Sequence, residues 1–245
     1  MSELRLRVAT HNICHMGKNP VDRTELFPDN TYRNGYEANM VSLMKKYWDE
    51  VLSGFSADLL GAQEYFPWFD LAHTERTEDV VYGPKGYEVH DGGHGLALLS
   101  KHPVEHVTEA DFGDISARRW QKFYTEIEGV RIAVFNTHPM PKTERRAIRA
   151  QEYAFLIEEF RKEPLFLAFG DFNAHDAAEF EPFLQAGFRI ANPGLCTVEG
   201  GPPCDNIIAS PNIRLENVSL YDVDLRLSDH MVLACDAAIR SVTAR

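Results

Sequence analysis

Leu4, Leu6 and Val8 alternate with Glu3, Arg5 and Arg7, the two-residue period of a half-buried strand, and the run passes into Thr10-His11-Asn12. Between Asn34 and Gly54 the apolar positions Tyr36, Met40, Leu43, Met44, Tyr47 and Val51 recur at helical spacing, with Gly54 as a stop. A short strand, Asp58 to Ala62, then leads to Gln63-Glu64. Gly95 to Ser100, Phe123 to Ile127 and Arg131 to Thr137 read as strands, and Glu128-Gly129 joins the last two as an antiparallel hairpin. Thr143 to Arg161 reads as a helix with Ala147, Ala150, Ala154, Ile157 and Phe160 near one face and charges on the other. Leu165 to Phe169 is short, apolar on both faces and stopped by Gly170, so it is a buried strand that delivers Asp171. Phe180 to Ala186 reads as a short helix, and Asn206 to Ala209, Leu215 to Leu220 and Met231 to Asp236 as further strands.

Hairpins mixed with helices predict an α/β (α+β) fold of two mixed or antiparallel sheets with helices outside; a doubly wound parallel sheet fits less well. No internal repeat and no Pro/Gly/Ser linker divides the 245 residues, so the expectation is one domain over 1–245. The composition, 44% hydrophobic and 25% charged, excludes disordered and fibrous classes. The longest purely apolar runs, Leu165 to Phe169 and Met231 to Cys235, fall far short of the roughly 20 residues a membrane span needs. The charged, alternating N-terminus lacks the apolar core of a signal peptide, which reads as a cytoplasmic protein with no transmembrane segment. Cys14, Cys196, Cys204 and Cys235 show no Cys-x-x-Cys spacing and read as free thiols. The net charge of -12 argues against a partner gripped mainly through basic residues, though a bound cation can reverse the sign locally.

Polar residues concentrate at Thr10-His11-Asn12, Gln63-Glu64, Asn136-Thr137-His138, Gly170-Asp171-Phe172-Asn173, Asp205 and Ser228-Asp229-His230, each at a strand end or loop beside an apolar run. Singly, each has an ordinary reading as a turn or a helix cap. Together they offer what metal-assisted phosphate chemistry needs. Glu64 and Asp229 are hard oxygen ligands for Mg²⁺ or Mn²⁺; an imidazole backed by a carboxylate handles a proton near neutral pH; Asn and a second His donate to the oxygens of a charged transition state. His11 and His15 flank Asn12, and His94 lies in a glycine-rich loop; each has a structural alternative. The Gly200-Gly201-Pro202-Pro203 stretch reads as the loop that positions Asp205, and Tyr65 to Phe69 as core or as a stacking surface.

The ordered set Thr10-His11-Asn12, Leu60-Gly61-Ala62-Gln63-Glu64, Gly95 to Ser100, Asn136-Thr137-His138, Gly170-Asp171-Phe172-Asn173-Ala174, Asp205 to Ile208 and Ser228-Asp229-His230 resembles the endonuclease/exonuclease/phosphatase superfamily. The resemblance runs from residue 10 to residue 230 and implies a four-layered sandwich with its active site at one edge of two packed sheets. It implies that Glu64 binds the divalent metal, with Asn12 and Asp229 as further ligands, direct or through water. His230, oriented by Asp205, would activate the attacking water, and Asp171 would position the nucleophile or protonate the leaving oxygen. Asn173 and His138 would contact the scissile phosphate, with Asn12 beside them. Arg118 and Arg119 stand roughly where many relatives place a substrate-facing basic residue; adjacent positions point in different directions, and Arg119 is assigned to substrate. Where many relatives have Tyr after the matched aspartate, this chain has Asn206.

The implied activity is metal-dependent phosphodiester or nucleic-acid hydrolysis, without a covalent intermediate because the motifs hold no Ser or Cys nucleophile. The substrate is a phosphoester, with nucleic acid and nucleotides among the candidates; no protein partner is implied. A phosphomonoesterase acting on a sugar, inositol or lipid headgroup, and a non-catalytic binding module on the same scaffold, are the alternatives.

Overall fold

The structure, a computed structural model, describes residues 3–13, 56–65, 88–91, 95–198, 200–223 and 228–240. The expected helix from Asn34 to Gly54, and His15, Cys14, His94 and Phe66 to Phe69, lie outside these residues. The described strands form two six-stranded sheets. In the first, β1 (Glu3–Asn12) lies between β2 (Leu59–Tyr65) and β12 (Val232–Arg240). Beyond β2 come β4 (Gly95–Ser100) and β3 (Glu88–Asp91); beyond β12 comes β11 (Ile213–Tyr221). In the second, the order is β5 (Val104–Asp111), β6 (Arg119–Ile127), β7 (Val130–His138), β8 (Phe166–Asp171), β10 (Asp205–Ala209) and β9 (Arg189–Ile190).

Each sheet has one parallel pair at its centre, β1 with β2 and β7 with β8, and antiparallel partners outside it. Parallel strands end at the same edge of a sheet, so Asn12, Glu64, His138 and Asp171 are all delivered to one side of the molecule. β10 runs antiparallel to β8 and therefore starts there, placing Asp205 opposite Asp171. Open sheets of this kind bind ligands beyond the carboxyl ends of their central strands.

The two sheets pack face to face over Leu6, Val8, Leu59, Leu98, Val134, Leu167, Phe169, Ile207 and Leu233, all buried. At about 25 cal/mol per Å², this shared apolar layer is the main force holding sheet on sheet. A satisfied polar layer crosses it. Gln63 Nε2 donates to Asn136 Oδ1 at 2.7 Å and to Thr10 Oγ1 at 3.1 Å, and Asn136 Nδ2 donates to the carbonyls of Ala62 and Ala97. Gln63 and Asn136, members of the polar clusters in the sequence, thus set the register of the sheets rather than face a ligand. The approach is closest at Gly61, where a Cβ would overlap Phe169 Cβ and come within 3.0 Å of Asn136 Oδ1.

The outer face of the second sheet is covered by α1 (Arg146–Arg161), preceded by a 3-10 turn at Thr143–Arg145, and by α2 (Glu181–Gln185). Their contact is aromatic: Phe160 meets Phe166 and Phe135 at 4.7 and 4.8 Å between ring centroids. The expected inward face of α1 is only half right. Ile157 and Phe160 are buried, but Ala147, Ala150 and Ala154 are exposed, and the buried stripe is Arg149, Glu152, Tyr153, Leu156, Ile157 and Phe160. Arg149, paired with Glu179, and Glu152, bonded to Ser116 and the Met140 N–H, turn the stripe away from the alanines.

The Glu128-Gly129 hairpin forms as expected, with both residues at positive φ, 51° and 76°, the primed two-residue turn. β3, β5 and β9 had no sequence signal. β5 is an edge strand whose residues are mostly half-buried or exposed, and β9 has two residues, so neither carries the alternation that marks a half-buried strand. No helix among the described residues is long and apolar enough to cross a membrane. Cys196, Cys204 and Cys235 are free.

Candidate active site

Asn12, at the end of β1, donates through Nδ2 to Asp171 Oδ2 at 2.9 Å, linking the two sheets at the site edge. Asp171 Oδ2 also lies 3.2 Å from His138 Nε2 and 3.9 Å from His230 Nε2, and its Oδ1 accepts from the Asn173 backbone N–H at 2.8 Å. The other nitrogen of His230, Nδ1, is 2.8 Å from Asp205 Oδ2. Asn173 Nδ2 donates to the Pro139 carbonyl, next to His138. Six sequence-assigned residues therefore form one cluster of hydrogen bonds and ion pairs.

Glu64 follows Gln63 in a bulge of the β2–β4 ladder, at φ 53°. Glu64 and Asn173 are two of six non-glycine residues with left-handed backbone among those described. Such a conformation costs about 1–3 kcal/mol and collects at functional sites, where it re-aims a side chain. Ser228 Oγ donates to the Asn12 carbonyl at 2.7 Å and accepts from His230 N–H, so the Ser228-Asp229-His230 turn is stitched to the end of β1. Half-buried Asp229 stands between them and adds to the negative field on His230.

Burial alone would push the Asp171 carboxyl up, but the charge and hydrogen bond of His138, the charge of His230 and the Asn12 amide overcome it and hold the group well below the usual range. Burial would lower His230; Asp205 and Asp171 outweigh it and raise the imidazole to about 10. Asp205 is pushed up by its own burial, opposed by His230. The loop before β10 locks this pair. Asp205 N–H donates to Thr197 Oγ1, Val198 bridges to His230, and Met231 N–H donates to the Thr197 carbonyl; Thr197 N–H and Gly201 N–H close the loop on Pro202 and Val198.

One ligand atom each of Asp171, Asp205 and His230 lie within 4.8 Å of one another, close enough to hold a metal ion. Both ring nitrogens of His230 face carboxylates here, which is the arrangement of a proton-handling set. Glu64, Asn12 and Asp229 offer hard oxygens beside it, since the Asn12 nitrogen is committed to Asp171 and its carbonyl oxygen lies on the other side of the amide. Asp205 Oδ1 and Arg118 Nη2 are buried without a hydrogen-bond partner, which fits a pocket completed by a further polar group.

Residues 9–230 match the Endonuclease/Exonuclease/phosphatase family. The chain belongs to this family. Its fold is shared with solved structures of low sequence identity. A humanized D. rerio TDP2 superposes with a TM-score of 0.67 at 14% identity, over 95% of this chain and 98% of that one. The human Nocturnin catalytic domain, with bound sulfate anion, gives 0.66 at 18% identity, over 98% and 97%. A truncated Caenorhabditis elegans TDP2 gives 0.63 at 18% identity, over 96% and 98%. No curated protein sequence matches the chain. Membership in the endonuclease/exonuclease/phosphatase family places it among enzymes that hydrolyse phosphate esters.

In this family member the two arginines before His138 diverge. Arg119 lies directly opposite His138 in the β6–β7 ladder, so the two side chains share one face. Half-buried Arg118 donates through Nε to the His138 carbonyl at 2.9 Å; burial lowers its guanidinium pKa, while Asp171, Glu64 and Glu152 raise it. His11 does not join the site. It is fully buried, with Nε2 3.0 Å from the His230 carbonyl, and burial pushes its imidazole down to about 3, so it donates as a neutral ring. Tyr65 is core. At Asn206, a buried amide pair forms with Asn192. Asn192 N–H donates to Asn206 Oδ1, Asn206 Nδ2 to the Asn192 carbonyl, and Asn192 Nδ2 to the Asp205 carbonyl. Sequence reasoning missed Asn192, Thr197 and the α1 charges; an Asn-Pro pair at 192–193 is a turn signal anywhere, and carries no pointer to Asp205.

Proposed function

We propose that the protein is a divalent-metal-dependent phosphodiesterase of the nuclease type, hydrolysing its substrate in line with an activated water and no covalent intermediate. The observation that carries this reading is His230, held at Nδ1 by Asp205 and presenting Nε2 toward Asp171 in a pocket that also holds Asn12, His138 and Asn173.

His230 in its neutral form receives the proton of the attacking water at Nε2, which requires the carboxylate field that raises its imidazole to be offset, and Asp205 fixes the tautomer and stabilises the imidazolium. Asp171, held ionised by its neighbours, orients the nucleophile or the leaving oxygen. His138 and the Asn173 side chain donate to the phosphoryl oxygens as charge builds, Asn12 faces the same group, and Arg119 meets the substrate from beside His138. Enzymes of this family generally use divalent metals. Mg²⁺ or Mn²⁺ held by Glu64, Asn12 and Asp229 would supply charge at the phosphoryl oxygen and offset the carboxylate field around His230. A single-stranded nucleic acid is the first substrate to test, because a D. rerio TDP2 structure of the same fold is complexed with single strand DNA product.

A screen with Mg²⁺ and Mn²⁺ against single-stranded DNA and RNA, nucleotides, inositol phosphates and sphingomyelin, with Glu64→Ala as control, tests the reading. Turnover that survives chelation, or full activity in His230→Ala, overturns it. Negligible turnover of bis-nitrophenyl phosphate beside mono-nitrophenyl phosphate replaces the diesterase with a monoesterase.

A further inference from the structure

We infer that Glu152, a buried carboxylate on the helix that covers the second sheet, is a positioning residue for the site, acting on His138 through Ser116, Arg118 and Met140. The inference rests on the proposed role of His138 at the phosphate.

Glu152 is fully buried on α1, and its two oxygens are spent on two different segments. Ser116 Oγ donates to Oε1, and Met140 N–H donates to Oε2 at 2.7 Å. The Ser116 oxygen in turn accepts the Arg118 backbone N–H at 3.1 Å, and Arg118 Nε donates to the His138 carbonyl at 2.9 Å. A closed circuit results: Glu152 to Ser116, Ser116 to Arg118, Arg118 to His138, two residues of chain to Met140, and back to Glu152. His138, 3.2 Å from Asp171, is the member of that circuit whose side chain meets a site carboxylate at ion-pair distance.

A carboxylate buried on a helix loses its hydration and has to recover it from its partners. Burial pushes Glu152 above the usual carboxylate range, while Ser116, the Met140 amide and the charges of Arg118 and Arg149 oppose the shift. If its purpose were packing, an apolar residue of the same volume would serve at lower cost, as Leu156 does one turn later. Its neighbour one turn earlier repeats the arrangement. Arg149 is fully buried, pairs with Glu179 through Nε at 2.9 Å and Nη2 at 2.7 Å, and donates Nη1 to the carbonyls of Met140 and Lys142. Tyr153 OH reaches the Phe172 carbonyl at 2.6 Å, between Asp171 and Asn173. The segment that leaves β7 after His138 is therefore held from the helix on both its N–H and its C=O sides. Of these anchors, Glu152 reaches Arg118 and His138 together.

Displacement by about 1 Å is enough to cost a catalytic group about 10²-fold. Glu152→Ala is expected to lower kcat on bis-nitrophenyl phosphate with Mn²⁺ by about 10- to 100-fold with KM within about threefold, whereas Glu152→Gln, whose one acceptor oxygen takes the Met140 N–H while its Nε2 donates to the Ser116 oxygen, restores most of it. In a His138→Ala background Glu152→Ala and Ser116→Ala are expected to have no further effect on kcat. Equal losses in both backgrounds, a rise in KM alone, or a glutamine variant no better than alanine would overturn the inference. Amide hydrogen exchange reads the circuit without turnover: in Ser116→Ala, which leaves only a small void should Glu152→Ala fail to fold, protection falls at Arg118 and Met140 and holds within β6 and β7. Unchanged protection at both overturns the circuit. A wild-type protein inert toward every phosphoester overturns the proposed function instead, and exchange then still decides whether Glu152 holds Met140 and Arg118.

Discussion

Asn12 and Asp171 come from different sheets and meet at 2.9 Å, amide nitrogen to carboxylate oxygen, where the two central parallel pairs end. The contact places a neutral donor from β1 beside an ionised group from β8, and so joins the proposed cation site to the proton-handling set.

Replacing Asn12 by Asp would put two carboxylates at hydrogen-bond distance, and one of them must then bind a proton or the sheets must separate. Asn12→Asp is expected to melt lower than wild type in chelator and to recover more stability than wild type on addition of Mn²⁺, since a ligand stabilises the state that binds it. Thermal denaturation with and without Mn²⁺ measures both. A variant as stable as wild type in chelator, or one that Mn²⁺ does not rescue, argues against a cation beside Asn12.

Asp205 meets His230 at 2.8 Å, and the geometry assigns it the tautomer. Asp205→Asn keeps the shape but favours the wrong tautomer, and is expected to lower kcat by about 10²- to 10⁴-fold with little change in substrate binding. Steady-state kinetics on the best substrate from the metal screen checks this. A loss smaller than about fivefold would show that His230 works without its partner.

Gly61 marks the closest approach of the sheets. A methyl group there would overlap Phe169 Cβ and press on Asn136 Oδ1, which already accepts from Gln63. Gly61→Ala is expected to destabilise the fold by about 1–3 kcal/mol or more, through overpacking and the displaced polar layer. Urea denaturation followed by intrinsic fluorescence provides the value, and a neutral result would mean that the sheets can slide apart at this point without cost.

Asp236, on β12, is held below the usual carboxylate range by the Asn217 amide first and then by Arg7, whose guanidinium also reaches Ser219 and Tyr221 on β11. A carboxyl depressed in the folded state contributes stability that is present above its unfolded pKa of about 3.9 and is lost as pH falls below it. Wild type is therefore expected to lose more stability than Asp236→Asn between about pH 5 and pH 3. Parallel denaturation curves across that window decide it; identical slopes would refute the contribution.

Much of the fold was legible along the chain because it depends on short-range periodicity. The alternation of Leu4, Leu6 and Val8, the buried run before Gly170 and the Glu128-Gly129 turn are local facts, and the polar residues that follow each run stood out because a strand end is where such residues cost nothing to the core. β3, β5 and β9 were not legible, since β3 and β9 are only four and two residues long and β5 buries neither face fully, which leaves no alternation to read.

The sequence by itself determined which residues stand at the strand ends, Asn12, Glu64, His138, Asp171, Asp205 and His230, and the order in which they arrive. Only the tertiary structure decided which of the polar neighbours face the site. Gln63 and Asn136 turn inward to tie the sheets, His11 is sealed as a neutral ring, and Arg149 and Glu152 are drawn under the helix that should have buried alanines. The physical reason is that a buried charge or amide is placed by its partners, and here the partners of Glu152, Ser116 and Met140, lie 36 and 12 residues away. The local periodicity around Glu152 carries no sign of which residues such bonds will reach.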